Sequence, residues 1–274
     1  MAEEKQKLLR LVNSSGFPFQ LRVADQIRRQ DPVSGWQLVT QEHAWRAPED
    51  GREGFIDIVI RNKDHDRMVI ECKRTRDADW VFLLPKNGIS DLETQARMFY
   101  VSEPTAGTST DQPQIGWHNF QAQPDSPISE FCIVRGTGEG QKPMLENLCR
   151  VLLNSVECFA QEEFSLAIER KDGLNCLYIP VIVTNANLQV CRFKLPSISL
   201  EDGEIPDGDF ASVPYIRFFK SLSTKPMSFA SIDSIGAANR ERQRTVFVVQ
   251  SAQLESFLEA WRMPDTSQNR RPWN

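Results

Sequence analysis

The sequence predicts a mixed α/β domain, and three observations carry that prediction. Residues 54–60 and 67–73, GFIDIVI and RMVIECK, are apolar-centred runs joined by the polar stretch RNKDHD, the pattern of a β-hairpin. Residues 143–164 place Leu145, Leu148, Leu152, Val156 and Phe159 on one side of a long helix. A strand-like segment, LYIPVIV (177–183), follows it. Helix and strand therefore alternate.

The remaining elements follow in chain order. EEKQKLLRLV (3–12) is a short amphipathic segment, interrupted by Ser14, Ser15 and Gly16. In GFPFQLRVADQIRRQ, Phe19, Val23 and Ile27 recur every four residues, which predicts a helix ended by Asp31-Pro32. WQLVTQEHAW (36–45) is rich in β-formers and predicts a strand. WVFLLP (80–85) predicts another strand and SDLETQARMF (90–99) a short helix. Residues 103–143 hold five Pro and five Gly, about double average usage, which predicts loop apart from the strand EFCIVRG (130–136). LQVCRF (188–193), VPYIRFFKSL (213–222) and TVFVVQ (245–250) predict further strands. SAQLESFLEAW (251–261) predicts a closing helix with Ser251 as N-cap and Leu254, Phe257, Leu258 and Trp261 on one face. The tail DTSQNRRPWN is expected to fray.

Composition narrows the function classes. The 274 residues are 40% hydrophobic and 25% charged, which excludes collagen, coiled coil and wholesale disorder. The longest apolar run, Leu177 to Val183, contains Pro180 and is far short of the roughly 20 residues that span a bilayer. The start, MAEEKQKLLRLVNSSG, has no uninterrupted apolar core of a secretory signal. A soluble cytoplasmic chain with no membrane partner is expected. A net charge of −5 argues against coating nucleic acid by bulk charge, and leaves room for one basic cleft. The six cysteines show no C-x-x-C spacing and are expected as buried, reduced thiols.

Chemistry concentrates in the hairpin. On a strand, residues two apart share a face, so Glu71 and Lys73 go with Val69, and Asp57 with Phe55 and Val59, opposite Ile56, Ile58 and Ile60. Two carboxylates and an ammonium thus interrupt strands built for a core. A half-buried carboxylate is costly unless it is paired, hydrogen-bonded or metal-bound. Adjacent carboxylates suit a hard divalent cation, Mg²⁺ or Mn²⁺, and a nearby lysine can stabilise charge developing on a phosphoryl group. An E-x-K tripeptide alone reads first as a cross-strand ion pair on a solvated face. GTGEGQK (136–142) fits neither phosphate-loop pattern and is expected as a flexible loop. NRERQR, with Arg240, Arg242 and Arg244, is expected as solvated charge.

The order of elements separates these readings: helix, strand, strand with Asp, tight turn, strand with Glu-x-Lys, then helix and strand. In FIDIVI and VIECKR the chain resembles the PD-(D/E)xK nuclease superfamily, the restriction-endonuclease-like fold, over about 16–76 and more loosely over 143–194. The resemblance implies an αβββαβ core with a mixed central sheet flanked by helices, a loop-rich insertion (77–142) and a C-terminal αβ extension (195–274), in one domain covering 1–274. It implies Asp57, Glu71 and Lys73 as catalytic residues. Asp57, Glu71 and the Cys72 backbone carbonyl would hold Mg²⁺ or Mn²⁺. Gln20 stands where members often carry a first-helix Glu, and Ile56 where the motif has Pro; Glu42 and His43 are auxiliary candidates. Arg74 and Arg76 would position nucleic-acid phosphates. The expected function is metal-dependent endonuclease cleavage, DNA favoured, in restriction, repair or antiphage defence, with a homodimer or partner protein also compatible. The alternative is a catalytically inactive nuclease-fold module that binds nucleic acid or protein.

Overall fold

The computed structural model describes residues 2–75, 79–86, 92–102, 114–134, 144–171, 173–223 and 234–263. The chain opens with two helices, α1 (Ala2–Ser14) and α2 (Phe17–Ser34), and three strands, β1 (Gln37–Arg46), β2 (Glu53–Arg61) and β3 (Arg67–Lys73). Four more strands follow: β4 (Asp79–Pro85), β5 (Leu92–Ser102), β6 (Gln114–Ser129) and β7 (Cys132–Val134). The long helix α3 (Met144–Arg170) leads into β8 (Asn175–Thr184) and β9 (Asn187–Phe193). The chain continues through β10 (Asp209–Ser212), β11 (Tyr215–Ser221), α4 (Ile235–Glu241), β12 (Gln243–Gln250) and α5 (Leu254–Ala260).

The large mixed sheet has eight strands in the order β1-β2-β3-β8-β12-β11-β6-β5. β1, β2 and β3 pair antiparallel, and β8 lies parallel to β3. The other edge of β8 is shared: Val181–Thr184 pair with β12, and Asn175–Tyr178 with β5. The last five strands therefore close a circuit through β8. A smaller sheet runs β10-β9-β4-β7.

Both faces of the large sheet are covered, and β8 records this in its side chains. Cys176, Tyr178 and Ile182 enter one core with Leu152, Val156 and Phe159 of α3 and Trp80, Phe82 and Leu84 of β4. Leu177, Ile179, Val181 and Val183 enter the opposite core with Val23, Ala24 and Ile27 of α2 and Leu254, Phe257 and Leu258 of α5. A two-residue period with both sets apolar is what a strand between two covered faces requires. No helix among the described residues is long and apolar enough to cross a membrane.

Several sequence expectations are corrected. Residues 92–102 form a strand, not a helix, because pairing with β6 and β8 outweighs the helix propensity of ETQARM. Residues 114–129 form a sixteen-residue strand where loop was expected. Pro124 lies in the break between the two stretches that pair with β5, Gln114–Gln121 and Ser126–Pro127, and β11 joins only at Ile128 and Ser129, so neither proline interrupts two ladders at once. Helix α2 passes Asp31-Pro32 and ends at Gly35, whose φ of 70° and N–H bond to the Asp31 carbonyl form the C-cap. Ser251 starts a short 3-10 turn and is not the N-cap of α5. The segment GTGEGQK and the tail DTSQNRRPWN lie outside the described residues.

Candidate functional site

β2 and β3 run as a ladder from Arg61↔Arg67 to Ile58↔Ile70 and then part. Beyond that point the start of β2 is held by β1, while Glu71, Cys72 and Lys73 are held by β8. Asp57 and Glu71 are the first residue of each strand past the fork. The backbone N–H of Cys72 donates to Oδ2 of Asp57 at 2.7 Å, so the side chain of one arm ties down the main chain of the other.

The fork coincides with a break in strand alternation. Ile56 belongs to the α3-side core together with Val59, whereas Ile58 and Ile60 belong to the α2 side. Ile56 therefore does not share a face with Ile58 and Ile60, as strict alternation predicts. Glu42, between the pairs Gln41↔Ile58 and His43↔Ile56, has a φ of 51°. Left-handed backbone at a non-glycine residue is uncommon and clusters at functional sites. Gln20, on the buried face of α2 at 6% exposure, meets this distortion. Its amide donates to the Glu42 carboxylate and, at 3.2 Å, to the Asp57 carbonyl.

The electrostatics join these groups into one cluster. Burial pushes the Asp57 carboxyl up to about 6; Glu42 pushes the same way, while the Cys72 N–H and Lys73 oppose. Burial pushes Glu71 higher, to about 7, aided by Asp57 and Glu42 and opposed by Lys73. The Cys72 thiol, buried beside the same carboxylates, is held well above its ordinary range and remains a thiol.

Two half-buried carboxylates that repel each other carry a deficit of positive charge, which a cation between them would remove. The donor set is all oxygen, which suits a hard divalent ion that keeps several waters. Asp57 and Glu71 are the residues that could hold it, with Glu42 nearby. Among the described residues no group of three or more His, Cys, Asp or Glu side chains is placed to hold an ion unaided.

Other predicted site residues divide. His43 turns toward α3, where Nε2 contacts Glu162 at 2.9 Å and the ring packs edge-on against Phe159, so it is not brought to the carboxylates. Arg74 is exposed just past β3, and Arg76 lies outside the described residues. Arg244, expected in solvent, is buried against the face of Trp117 at 4.7 Å. Glu157 of α3 is buried and accepts the Trp117 indole N–H at 2.7 Å. No periodicity in NRERQR marks Arg244 as buried; alternation with Val246 and Val248 in β12 is the signal that could have found it. No protein-family model, curated protein or solved structure matches this chain.

Proposed function

We propose that the chain is a metal-dependent endonuclease that hydrolyses nucleic acid phosphodiester bonds, with DNA the favoured substrate. The observation that carries this reading is the strand fork, where Asp57, Glu71 and Lys73 interact electrostatically and the Cys72 amide fixes Asp57. The order α2, β1, β2, β3, α3, β8, with three antiparallel strands and a fourth parallel to the third, supports a restriction-endonuclease-like core of the PD-(D/E)xK kind.

Each side chain then has a role. Asp57 and Glu71 hold a Mg²⁺ or Mn²⁺ ion, which when bound would polarise the scissile phosphate and acidify water. Lys73, on the same strand as Glu71, supplies positive charge where negative charge grows during phosphoryl transfer. Gln20 does not contribute charge; it orients Glu42 and braces the Asp57 main chain. Exposed Arg74 lies where it could meet a phosphate of the substrate backbone.

The test is incubation of the purified protein with supercoiled plasmid and with single-stranded DNA, in Mg²⁺, Mn²⁺ or EDTA. Nicking or cutting that needs the divalent ion and stops in EDTA is expected. DNA left intact with either ion, while still retarded in a gel, would favour the inactive binding module instead.

A further inference from the structure

A second cluster of chemistry lies away from the strand fork and shares no residue with it. A narrow cleft is walled by Arg52 on the approach to β2, Arg150, Asn154 and Glu157 of α3, Ser223 after β11, and Arg244 of β12. Three arginines and one glutamate line it. Glu157 has one oxygen committed to the Trp117 indole. Arg52 forms an ion pair with Asp50 through Nε at 2.6 Å, a pair that spans two residues of one turn and leaves the rest of the guanidinium fork uncommitted by it. Arg150 is exposed on the helix surface one turn before Asn154, so both present the same side.

Arg244 is the least ordinary member. It is 7% exposed, and its guanidinium lies over Trp117. Nη1 donates to the carbonyls of Glu241 and Gln243 at 2.6 and 2.7 Å. Its Nε is buried and finds no acceptor among the described residues. A buried cation with an unmet donor costs stability unless something completes it. Burial, and then Arg97 beside it, lower its pKa to about 10, as expected of a positive charge that the protein only partly offsets.

We propose that this cleft binds a phosphate-class anion, held by Arg52, Arg150 and Arg244 with Asn154 and Ser223 as neutral donors. Planar guanidinium forks match the oxygens of a phosphate, and several converging on one concave wall give both charge and orientation. The space inside is small, about 30 Å³, room for only one or two water-sized groups, so it suits the oxygens of a single phosphate with little attached, either free or at the end of a nucleic acid strand. The claim does not rest on hydrolysis at Asp57 and Glu71, and either can fail alone.

The experiment is a titration of inorganic phosphate against the full chain, followed by thermal melting and calorimetry, with chloride controls at equal ionic strength to remove general screening. Saturable stabilisation by phosphate beyond the chloride control is expected. Arg150→Ala, at an exposed position, and Arg244→Lys, which keeps charge but loses the planar fork, should each weaken phosphate binding about tenfold to a hundredfold, as loss of a charge-assisted hydrogen bond does. Lys73→Ala should bind phosphate as the wild type does. The proposal is overturned by no phosphate effect beyond chloride, by unchanged affinity in both arginine variants, or by loss of binding in Lys73→Ala, which would move the anion to the fork. Competition by 5′-phosphorylated and 5′-hydroxyl oligonucleotides separates the sources. Stronger competition by the phosphorylated strand identifies a strand end as the occupant, and equal competition with phosphate binding intact identifies a free anion.

Discussion

The backbone amide of Cys72 donates a 2.7 Å hydrogen bond to the carboxylate of Asp57, across a gap where their strands have stopped pairing. An N–H freed from the ladder must find an acceptor, and here it takes a side chain from the neighbouring strand. That bond favours the ionised Asp57, yet burial overrides it and the group is held near 6. The fork is thus poised between protonation and a cation.

The first prediction follows from that balance. The folded-state pKa values of Asp57 and Glu71 lie near 6 and 7, above their ordinary 3.8 and 4.5. Stability from this site is therefore fully present below about pH 4 and is lost as pH rises through 6 and 7. Asp57→Asn and Glu71→Gln should each melt above the wild type at pH 8, by on the order of 2 kcal/mol, and alongside it at pH 4. Melting curves of all three proteins without divalent ions, across that range, provide the check. A variant that melts below the wild type at pH 8 would show that the carboxylates are not strained in the ion-free protein.

A second prediction concerns Gln20. Gln20→Ala leaves the Glu42 carboxylate and the Asp57 carbonyl without their amide donor, a loss of about 1–3 kcal/mol. Gln20→Glu instead adds a carboxylate beside Glu42 and Asp57. It should lower the melting temperature at pH 8 in EDTA and tighten Mn²⁺ binding in a calorimetric titration. Unchanged Mn²⁺ affinity in Gln20→Glu would remove Gln20 from the cation's surroundings.

The third prediction tests the support under the site. Leu152 of α3 is 2% exposed in the core beneath the sheet. Burying a leucine contributes about 1.5–3 kcal/mol, and a buried unpaired carboxylate costs more again. Leu152→Asp should be insoluble or unfolded by circular dichroism, while Val151→Asp, at an exposed neighbouring position, should fold normally.

The hairpin was legible in the sequence because GFIDIVI and RMVIECK are dense in β-branched residues and flank a wholly polar turn. The faces of α2, α3 and α5 were legible for the same reason of period. What hid was non-local. ETQARMF is built of good helix formers and becomes a strand only through partners in β6 and β8. Pro124, Pro127 and Gly116 disguised β6, whose ladder to β5 breaks around Pro124 and whose ladder to β11 begins only at Ile128. Nothing in Thr184–Asn187 reveals that β9 leaves the large sheet for the smaller one. At the site, Asp57, Glu71 and Lys73 could be named from spacing. The left-handed Glu42 and the Gln20 amide that meets it could not, since both depend on how α2 lies across β1 and β2.

If Asp57 holds the ion while Lys73 serves the chemistry, cleavage by Lys73→Ala separates the two roles. DNA cutting by wild type, Asp57→Ala and Lys73→Ala is measured in Mn²⁺, with calorimetric Mn²⁺ titration of the same preparations. Asp57→Ala is expected neither to cut nor to bind Mn²⁺ well. Lys73→Ala is expected to lose cutting yet bind Mn²⁺ at least as tightly as the wild type, because a neighbouring positive charge has been removed. Lys73→Ala cutting DNA at the wild-type rate would make Lys73 an ion-pair partner of the carboxylates and contradict the account.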